Sequence, residues 1–295
     1  DNPRGPTLRI LGAAVAVGTI AWSVYRFVEA AKLKKEQKYC GDRILGQRAH
    51  ESSRIRSTDS PCIVQMQVLQ RDLGSDGKDI LKLSQGIVHW KPPPEALEAA
   101  KRSLDEMSDI HGYGDDEGCL LLREMISTKL KNENNITNSQ VMVTAGANQA
   151  FTNVVLATAD AQSSIILWPP YYFNHKMAIQ MTGGSSTLEL GQPDPHTLVP
   201  DPWWLEDRIK VKNNKTEKKI AACVLCNPCN PTGVVIPGSI LKRFSDICKK
   251  NGIWLIVDNT YEYFLYDGAR HETVEGPHII NIFSFSKAYG MMGWR

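Results

Sequence analysis

The sequence predicts an α/β protein with a three-layer α/β/α domain, in which a mostly parallel sheet is covered by helices on both faces. Two observations predict it. From residue 78 onward, short apolar runs alternate with polar stretches of helical length, which is typical of βαβ units. The 295 residues also have an ordinary composition, with 42% apolar residues and a net charge of +2, which excludes disordered and collagen-like chains.

Five apolar runs have the length of strands. In an open parallel sheet, ligands bind outside the carboxyl ends of the strands, so the residues that follow each run are the candidates for a site. The predicted strands are residues 141–144, 165–168, 220–226, 253–257 and 279–283.

Helices are predicted before and between the runs. In residues 95–108, apolar residues recur at helical spacing from Leu97 to Met107, directly behind the prolines of 92–94, which are a start signal for a helix. Residues 239–251 form a second polar stretch of helical length.

The first forty residues differ from the rest. An uncharged, mostly apolar run over 10–25 extends to Val28 across Arg26, and a lysine-rich flank follows over 32–38. We interpret this N-terminal hydrophobic helix as a single-pass transmembrane anchor with membrane contact through residues 10–28, which would leave the main domain facing the cytosol. The competing interpretations are a cleaved organelle-targeting segment and an ordinary buried helix.

The sequence thus predicts three segments. Residues 1–40 are the anchor or targeting segment, 41–77 a linker or N-terminal arm, and 78–295 the main domain. The near-neutral charge predicts no nucleic-acid partner.

Three of the seven cysteines, Cys223, Cys226 and Cys229, have the C-x-x-C-x-x-C spacing of iron–sulfur and zinc sites. Residues 220–225 read as a strand, however, and positions three apart on a strand face opposite sides. We therefore predict no metal site here, and interpret Cys223 and Cys226 as small apolar residues of a buried strand.

The side chains that follow the predicted strands together match the requirements of one cofactor. After the successive runs come small residues that open a helix at 145–149, then an aromatic pair, an amide, a carboxylate and a lysine. Pyridoxal phosphate requires such a set: a lysine for its aldehyde, an acid for its pyridine nitrogen, a helix N-terminus for its phosphate and an aromatic plate for its ring. The residues that carry these groups are Tyr171, Tyr172, Asn230, Asp258 and Lys287.

Several stretches carry a family resemblance. Asn230-Pro231-Thr232-Gly233 precedes the pair Asp258 and Tyr261, and Ser284-Phe285-Ser286-Lys287 follows, with Gly293-Trp294-Arg295 beyond it. In this order the sequence resembles a class I/II aminotransferase of the fold-type I pyridoxal-phosphate enzymes. Residues 141–151, 257–268 and 283–295 are most similar to the plant aromatic aminotransferases.

The resemblance implies roles for residues around the cofactor ring. Lys287 matches the lysine that forms the Schiff base and then moves the proton between Cα and the cofactor's C4′. Asp258 would pair with the pyridine nitrogen. Asn230 and Tyr261 would hydrogen-bond the ring's O3′, and Tyr172 would stack on the ring.

It also implies an anion site, a dimer contact and a substrate contact. The phosphate would be bound by Gly146, Ala147 and Asn148, helped by Ser284 and by Arg295 as a bidentate clamp. Tyr113 matches a tyrosine that reaches the phosphate of the neighbouring subunit, which implies a homodimer. Gly86 matches a glycine that lines the substrate carboxylate.

The resemblance implies transfer of an amino group between an L-amino acid, aromatic or methionine, and a 2-oxo acid. Two alternatives remain: a pyridoxal-phosphate lyase or synthase on the same scaffold, and a non-catalytic, membrane-tethered relative. In the family, the arginine that binds the substrate carboxylate lies in a small C-terminal domain after the lysine region, and Arg295 ends this chain before it. We therefore expect no small C-terminal domain and no turnover from these 295 residues alone.

Overall fold

The structure is a computed structural model, and it describes residues 50–74, 81, 84–183, 187–213 and 218–294. The chain divides into two compact units, Asp1–His50 and Glu51–Arg295, and the described residues after His50 belong to the second. The predicted N-terminal segment over 1–40 lies outside the described residues, as does Arg295.

A five-stranded parallel sheet forms the centre of the described part, in the order β2-β1-β3-β4-β5. The register places Cys226 opposite Asp258, and Asp258 opposite Ile282. The carboxyl ends of β3, β4 and β5 therefore end at one level. The strands are β1 (Ser163–Leu167), β2 (Leu188–Leu190), β3 (Lys219–Cys226), β4 (Trp254–Asp258) and β5 (Ile279–Ile282).

Eight α-helices accompany the sheet in the described residues, with a 3-10 turn at Ser108–His111. The helices are α1 (Ser53–Arg56), α2 (Cys62–Gly74), α3 (Pro94–Glu106), α4 (Leu120–Asn134), α5 (Ala147–Thr158), α6 (Phe173–Gly183), α7 (Pro202–Asn213) and α8 (Gly238–Asn251).

Buried side chains form a core on each face of the sheet. On one face, Leu205 of α7 and Phe244 of α8 pack in a cluster with residues of β3 and β4. On the other face, Phe151 of α5 and Ile179 of α6 pack in a second cluster with residues of β1, β3, β4 and β5. The α/β class and the parallel sheet are confirmed, and the helices on both faces make three layers.

The two helices predicted in detail are present. Helix α3 begins at Pro94, with Pro93 as its N-cap, because a proline at the first helical position lacks only an N–H that has no partner there. Helix α8 ends at Asn251, and Gly252 follows in the left-handed conformation with φ 64°, which glycine adopts without steric cost.

One strand prediction was wrong and one strand was missed. Residues 141–144 form no strand; the N–H of Val143 donates instead to the carbonyl of Glu117 at 2.8 Å, and Met142 is exposed. Strand β2 escaped prediction because it has only three residues and one of them is Glu189. That carboxylate is paired with Lys212 and Arg208 of α7, so tertiary contacts stabilise a charged residue in this short edge strand.

The predicted linker over 41–77 contains α1 and α2 in its described part. The Arg54 side chain of α1 donates to the Thr182 carbonyl at 2.7 Å, and Asp59 pairs with Lys176. This segment therefore packs as an arm on α6, and the segment boundaries remain predictions.

The prediction of a transmembrane helix needs correction. Among the helices of the described residues, no helix combines the length and the apolar character needed to cross a bilayer. The apolar run over 10–28 lies outside those residues. A targeting role for it, and the predicted cytosolic or organellar location, stay predictions.

Truncating Phe244 tests the core between α8 and the sheet. Its side chain is 0% exposed, so Phe244→Ala leaves a cavity and is expected to cost about 3–5 kcal/mol of unfolding free energy. Lys242→Ala on the exposed side of the same helix is the control, with a change within about 0.5 kcal/mol. Urea unfolding followed by circular dichroism measures both, and equal midpoints would contradict the assignment of this core.

Candidate cofactor site

Lys287 lies in the loop that follows β5. Its Nζ donates to the Gly86 carbonyl at 2.5 Å. A Cβ added to Gly86 would lie 3.7 Å from that Nζ and 3.9 Å from the Tyr261 hydroxyl. The structure therefore brings together Lys287, Gly86 and Tyr261, three of the predicted site residues, from chain positions up to 201 residues apart.

The segment that carries Gly86 is fixed against the Lys287 loop. Trp90 Nε1 donates to the Ala288 carbonyl at 3.0 Å, and the Trp90 ring stacks on Phe264 at 6.2 Å. Gly290 has φ 64°, and a Cβ there would lie 2.9 Å from the Trp90 carbonyl oxygen. Only a glycine permits this approach of the two backbones, which keeps the Gly86 carbonyl within reach of the amine.

Asp258 is the last residue of β4 and is 5% exposed. Its Oδ2 lies 2.9 Å from His175 Nε2, and its Oδ1 accepts the Thr260 N–H at 3.0 Å. Burial by itself would raise the pKa of Asp258, but the hydrogen bonds from His175 and Thr260 outweigh it and hold the pKa below its usual value. The structure therefore holds a buried carboxylate in its ionised form.

His175 is a site residue that sequence reasoning missed. It lies on α6, three residues after Tyr172, with a 3% exposed side chain. Its ring packs on Phe151 of α5 at 4.2 Å and meets Tyr172 edge-on at 5.3 Å. A polar residue in the first turn of a helix that follows a strand end was the available signal. Its partner on β4 could not be read from the sequence.

The loop after Asp258 is held by polar contacts on both sides. Asn259 donates from its side chain to Asn281 Oδ1 at 3.0 Å, and its N–H donates to the Ile282 carbonyl at 2.7 Å. Glu262 accepts Lys129 Nζ of α4 at 2.5 Å. These contacts fix the position of Tyr261, which lies between them in the chain.

Tyr261 is half-buried beside the end of β3. Burial, with the nearby Tyr172, raises its pKa to about 12, although a hydrogen bond with the Asn230 side chain acts in the opposite direction. At neutral pH the Tyr261 hydroxyl is therefore protonated and can donate. Tyr172 and Asn230, both predicted site residues, are thus near enough to Tyr261 to shift its pKa. Tyr172 also accepts a hydrogen bond from Asn174 at 2.8 Å.

The predicted anion site is the N-terminus of α5. Gly146 is its N-cap with φ 86°, a conformation open to glycine, and no side chain caps the helix there. The N–H groups that begin the helix, at Ala147 and Asn148, therefore offer donors and a positive dipole end. Phe151 lies one turn further along the same helix and packs on His175, the residue that contacts Asp258. The N-terminus therefore lies one helical turn from a neighbour of His175.

The remaining predicted residues have different positions. Ser284 follows β5, where its Oγ accepts the Ser286 N–H at 3.1 Å. Tyr113 has a fully exposed side chain. Arg295 lies outside the described residues. The roles of all these residues remain predictions.

The residues present fit pyridoxal phosphate. Asp258 is a buried carboxylate held in its ionised form at one strand end, and such a group can pair with a protonated pyridine nitrogen. The amine of Lys287, the protonated hydroxyl of Tyr261 and an uncapped helix N-terminus supply the other contacts that this cofactor needs.

Comparisons with known proteins agree with this site. The family model for aminotransferases of class I and II matches residues 78–295. The chain is 49% identical over 244 residues to an aromatic aminotransferase of Arabidopsis thaliana, covering 83% of this chain and 59% of the relative. The solved structure of the Thermus thermophilus aspartate aminotransferase with maleate matches with a TM-score of 0.74 at 26% identity, covering 84% of this chain and 63% of that one.

Fold and site together define an α/β domain of the pyridoxal-phosphate class, in which a lysine, a buried acid and an uncapped helix N-terminus lie at the predicted site. The family match identifies the family within this class: the chain belongs to the class I and II aminotransferases. The resemblance to plant aromatic aminotransferases is confirmed by the Arabidopsis relative. The chain spans 59% of that relative's length and 57% of an aspartate aminotransferase of Pyrococcus abyssi to which it is 30% identical.

Replacing His175 tests whether it positions Asp258. In His175→Leu the buried carboxylate loses one donor, so its pKa should rise and cofactor affinity should fall on the order of tenfold. His175→Gln keeps an N–H donor and should recover most of that affinity. Titration with pyridoxal phosphate, followed by absorbance, measures both variants. Equal affinities for His175→Leu and the unmodified protein would contradict the role.

Proposed function

We propose that this chain forms the cofactor-binding domain of an aminotransferase that moves an amino group between an L-amino acid and a 2-oxo acid. One observation carries the proposal. The Lys287 amine donates to the Gly86 carbonyl and the Tyr261 hydroxyl also lies beside Gly86, at the sheet edge where Asp258 is buried as an anion.

Each side chain has one task in this scheme. Asp258 would keep a proton on the pyridine nitrogen, and His175 would orient the carboxylate for that contact. Tyr261 and Asn230 would hydrogen-bond the O3′ oxygen, and Tyr172 would cover one face of the ring. When bound, pyridoxal phosphate supplies an electron sink that stabilises negative charge at the substrate Cα.

Lys287 would hold the cofactor through its amine and then carry the proton between the substrate Cα and the cofactor's C4′. The Gly86 carbonyl restricts where that amine can point. The N–H groups of Ala147 and Asn148, with Gly146, Ser284 and Arg295, would hold the phosphate. An anchored phosphate and a paired ring nitrogen would fix the reacting carbon relative to the amine.

The substrate class proposed for this site is an aromatic amino acid or methionine. The 49% identity to an aromatic aminotransferase supports it. Gly86 also supports an open substrate side, because any side chain at that position would project to within 3.7 Å of the amine. Gly86 would line the space of the substrate carboxylate.

We also propose that the active form is a homodimer. Tyr113 is fully exposed, and apolar side chains near it in the chain, Ile110, Leu120 and Leu121, are exposed as well. A second subunit would cover these side chains and bring Tyr113 to the phosphate of its neighbour. Sedimentation at increasing concentration, with Tyr113→Arg as the disruptive variant, would reveal a monomer if this proposal is wrong.

The test of function is a substrate panel. Purified full-length protein with pyridoxal phosphate is given phenylalanine, tyrosine, tryptophan, methionine or aspartate together with a 2-oxo acid, and the new amino acid is measured. Aromatic amino acids or methionine should react faster than aspartate. Release of ammonia or carbon dioxide in place of a new amino acid would overturn the proposal in favour of a lyase.

A further inference from the structure

Two cysteines beside the cofactor site have no part in the scheme above. Cys226 is the last residue of β3, and Cys229 lies three residues further on, so that the two form a C-x-x-C pair. The side chains of Cys226 and Cys229 interact closely enough for each to shift the pKa of the other. Neither cysteine is in a disulfide bond.

Both thiols of this pair are partly exposed. Cys226 and Cys229 line one cleft together with Tyr172 and His175. The Cys229 sulfur lies 3.7 Å from the Pro170 carbonyl oxygen at the side of that cleft. The pair is therefore placed differently from Cys223 and Cys248, which are fully buried.

The two sulfurs are chemically unequal. The hydrogen bond from Cys226 lowers the pKa of Cys229 to about 6, although burial acts in the opposite direction. The same hydrogen bond, together with burial, raises the pKa of Cys226 well above its usual value. Cys229 is therefore the thiol of the pair that loses its proton more readily. A thiolate attacks disulfides, whereas a neighbouring thiol can resolve the product.

The pair is also connected to the cofactor site. The backbone N–H of Asn230 donates to the Cys226 sulfur at 3.4 Å, and the Asn230 side chain lies near enough to Tyr261 to lower its pKa. A bond from Cys226 to Cys229 would draw the Cys226 sulfur away from the Asn230 N–H. The position of Asn230 relative to Tyr261 would then change.

We propose that Cys226 and Cys229 are a thiol modification site that reacts with low-molecular-weight disulfides, such as glutathione disulfide, and closes to an intramolecular disulfide that displaces Asn230. The Cys229 thiolate attacks one sulfur of glutathione disulfide, whose S–S bond breaks and releases one glutathione thiolate. That thiolate takes the proton of Cys226, and the Cys226 sulfur then attacks Cys229 and releases the second glutathione. Two protein thiols lose two electrons, and one glutathione disulfide becomes two glutathione molecules.

Mass spectrometry of the protein with its natural cysteines tests the site. The protein is equilibrated in glutathione buffers of increasing oxidised fraction, alkylated under denaturing conditions and digested. The fragment that contains Cys226 and Cys229 should lose about 2 Da and should no longer alkylate at either residue. Cys223 and Cys248 are the matched control inside the same chain: they are also hydrogen-bonded to each other, but their burial should keep them reduced.

Two variants separate the steps. Cys226→Ser should leave Cys229 as a mixed disulfide with one glutathione, and Cys229→Ser should react with none. Two free thiols at Cys226 and Cys229 in the most oxidising buffer would overturn the proposal. So would oxidation of Cys223 and Cys248 at the same buffer ratio. None of these readouts depends on enzyme activity, so they stand apart from the proposed function.

The connection to Asn230 rests on the proposed function and has its own readout. The oxidised protein should bind pyridoxal phosphate about fivefold more weakly than the reduced protein, as expected for one lost hydrogen bond, and reduction should restore the affinity. In Cys229→Ser, which does not react, the affinity should not respond to the buffer ratio. Equal affinities of the oxidised and reduced natural protein would overturn the displacement of Asn230, whatever the mass result.

Discussion

Replacing Lys287 by alanine is expected to abolish covalent retention of pyridoxal phosphate and to lower any transamination rate on the order of 10⁴-fold or more. The alanine side chain has neither the amine that holds the cofactor nor the group that moves the proton at Cα. In the unmodified protein, the Nζ of Lys287 donates to the Gly86 carbonyl at 2.5 Å. The direct measurement is protein mass after borohydride reduction, which fixes the cofactor to the amine that holds it.

The control for this variant is another lysine. Lys242→Ala removes the amine of a side chain that is 73% exposed and paired with Asp246 on α8. This variant should retain the cofactor fully. A reduced adduct that persists in Lys287→Ala and maps to another lysine would disprove the assignment. A circular dichroism spectrum equal to that of the unmodified protein shows that the variant is folded.

Asp258→Asn is expected to lower turnover on the order of 10³-fold and to weaken cofactor binding. The amide carries no charge, so it cannot hold a proton on the pyridine nitrogen as a buried carboxylate can. The asparagine side chain would fill the same space as the carboxylate, which lies 2.9 Å from His175 in the unmodified protein. The absorbance of the bound cofactor and the rate with the preferred amino acid measure the effect.

Asp246→Asn is the control for Asp258→Asn. Asp246 is exposed on α8, so this substitution should have no effect on the cofactor.

A second readout for Asp258→Asn is acid stability. The folded-state pKa of Asp258 is below its ordinary value of 3.8, so its ionised form adds stability above that pH, and the contribution is lost as the pH falls further. The unmodified protein should therefore lose stability below about pH 4 more steeply than Asp258→Asn does. Equal slopes would contradict the role of the His175 and Thr260 hydrogen bonds.

Much of the sheet could be predicted from the sequence because buried parallel strands are continuous apolar runs. Residues 165–168, 220–226, 253–257 and 279–283 overlap β1, β3, β4 and β5. Residues 141–144 have the same local pattern, yet the N–H of Val143 bonds to Glu117 outside the sheet. Pairing is decided by which backbone groups come together in space, and a local pattern does not contain that information.

The site divides in a similar way. Asn230, Asp258 and Lys287 could be predicted because each follows a strand, and the carboxyl ends of parallel strands meet at one edge. His175 could not, because its partner on β4 is 83 residues away in the chain. The close contact of Cys226 with Cys229 was also missed, since strand geometry alone separates positions three apart, whereas Cys229 lies beyond the end of β3.

The sequence by itself determined the α/β class, the order of chemical groups along the sheet edge and the family, because these depend on local patterns and on residue types in a specific order. Only the tertiary structure decided the ionisation of Asp258, the direction of the Lys287 amine and the inequality of Cys226 and Cys229. Each of these depends on burial and on hydrogen bonds between distant segments. The free energy of a charge or a proton is set by such neighbours in space, and they are known only once the chain is folded.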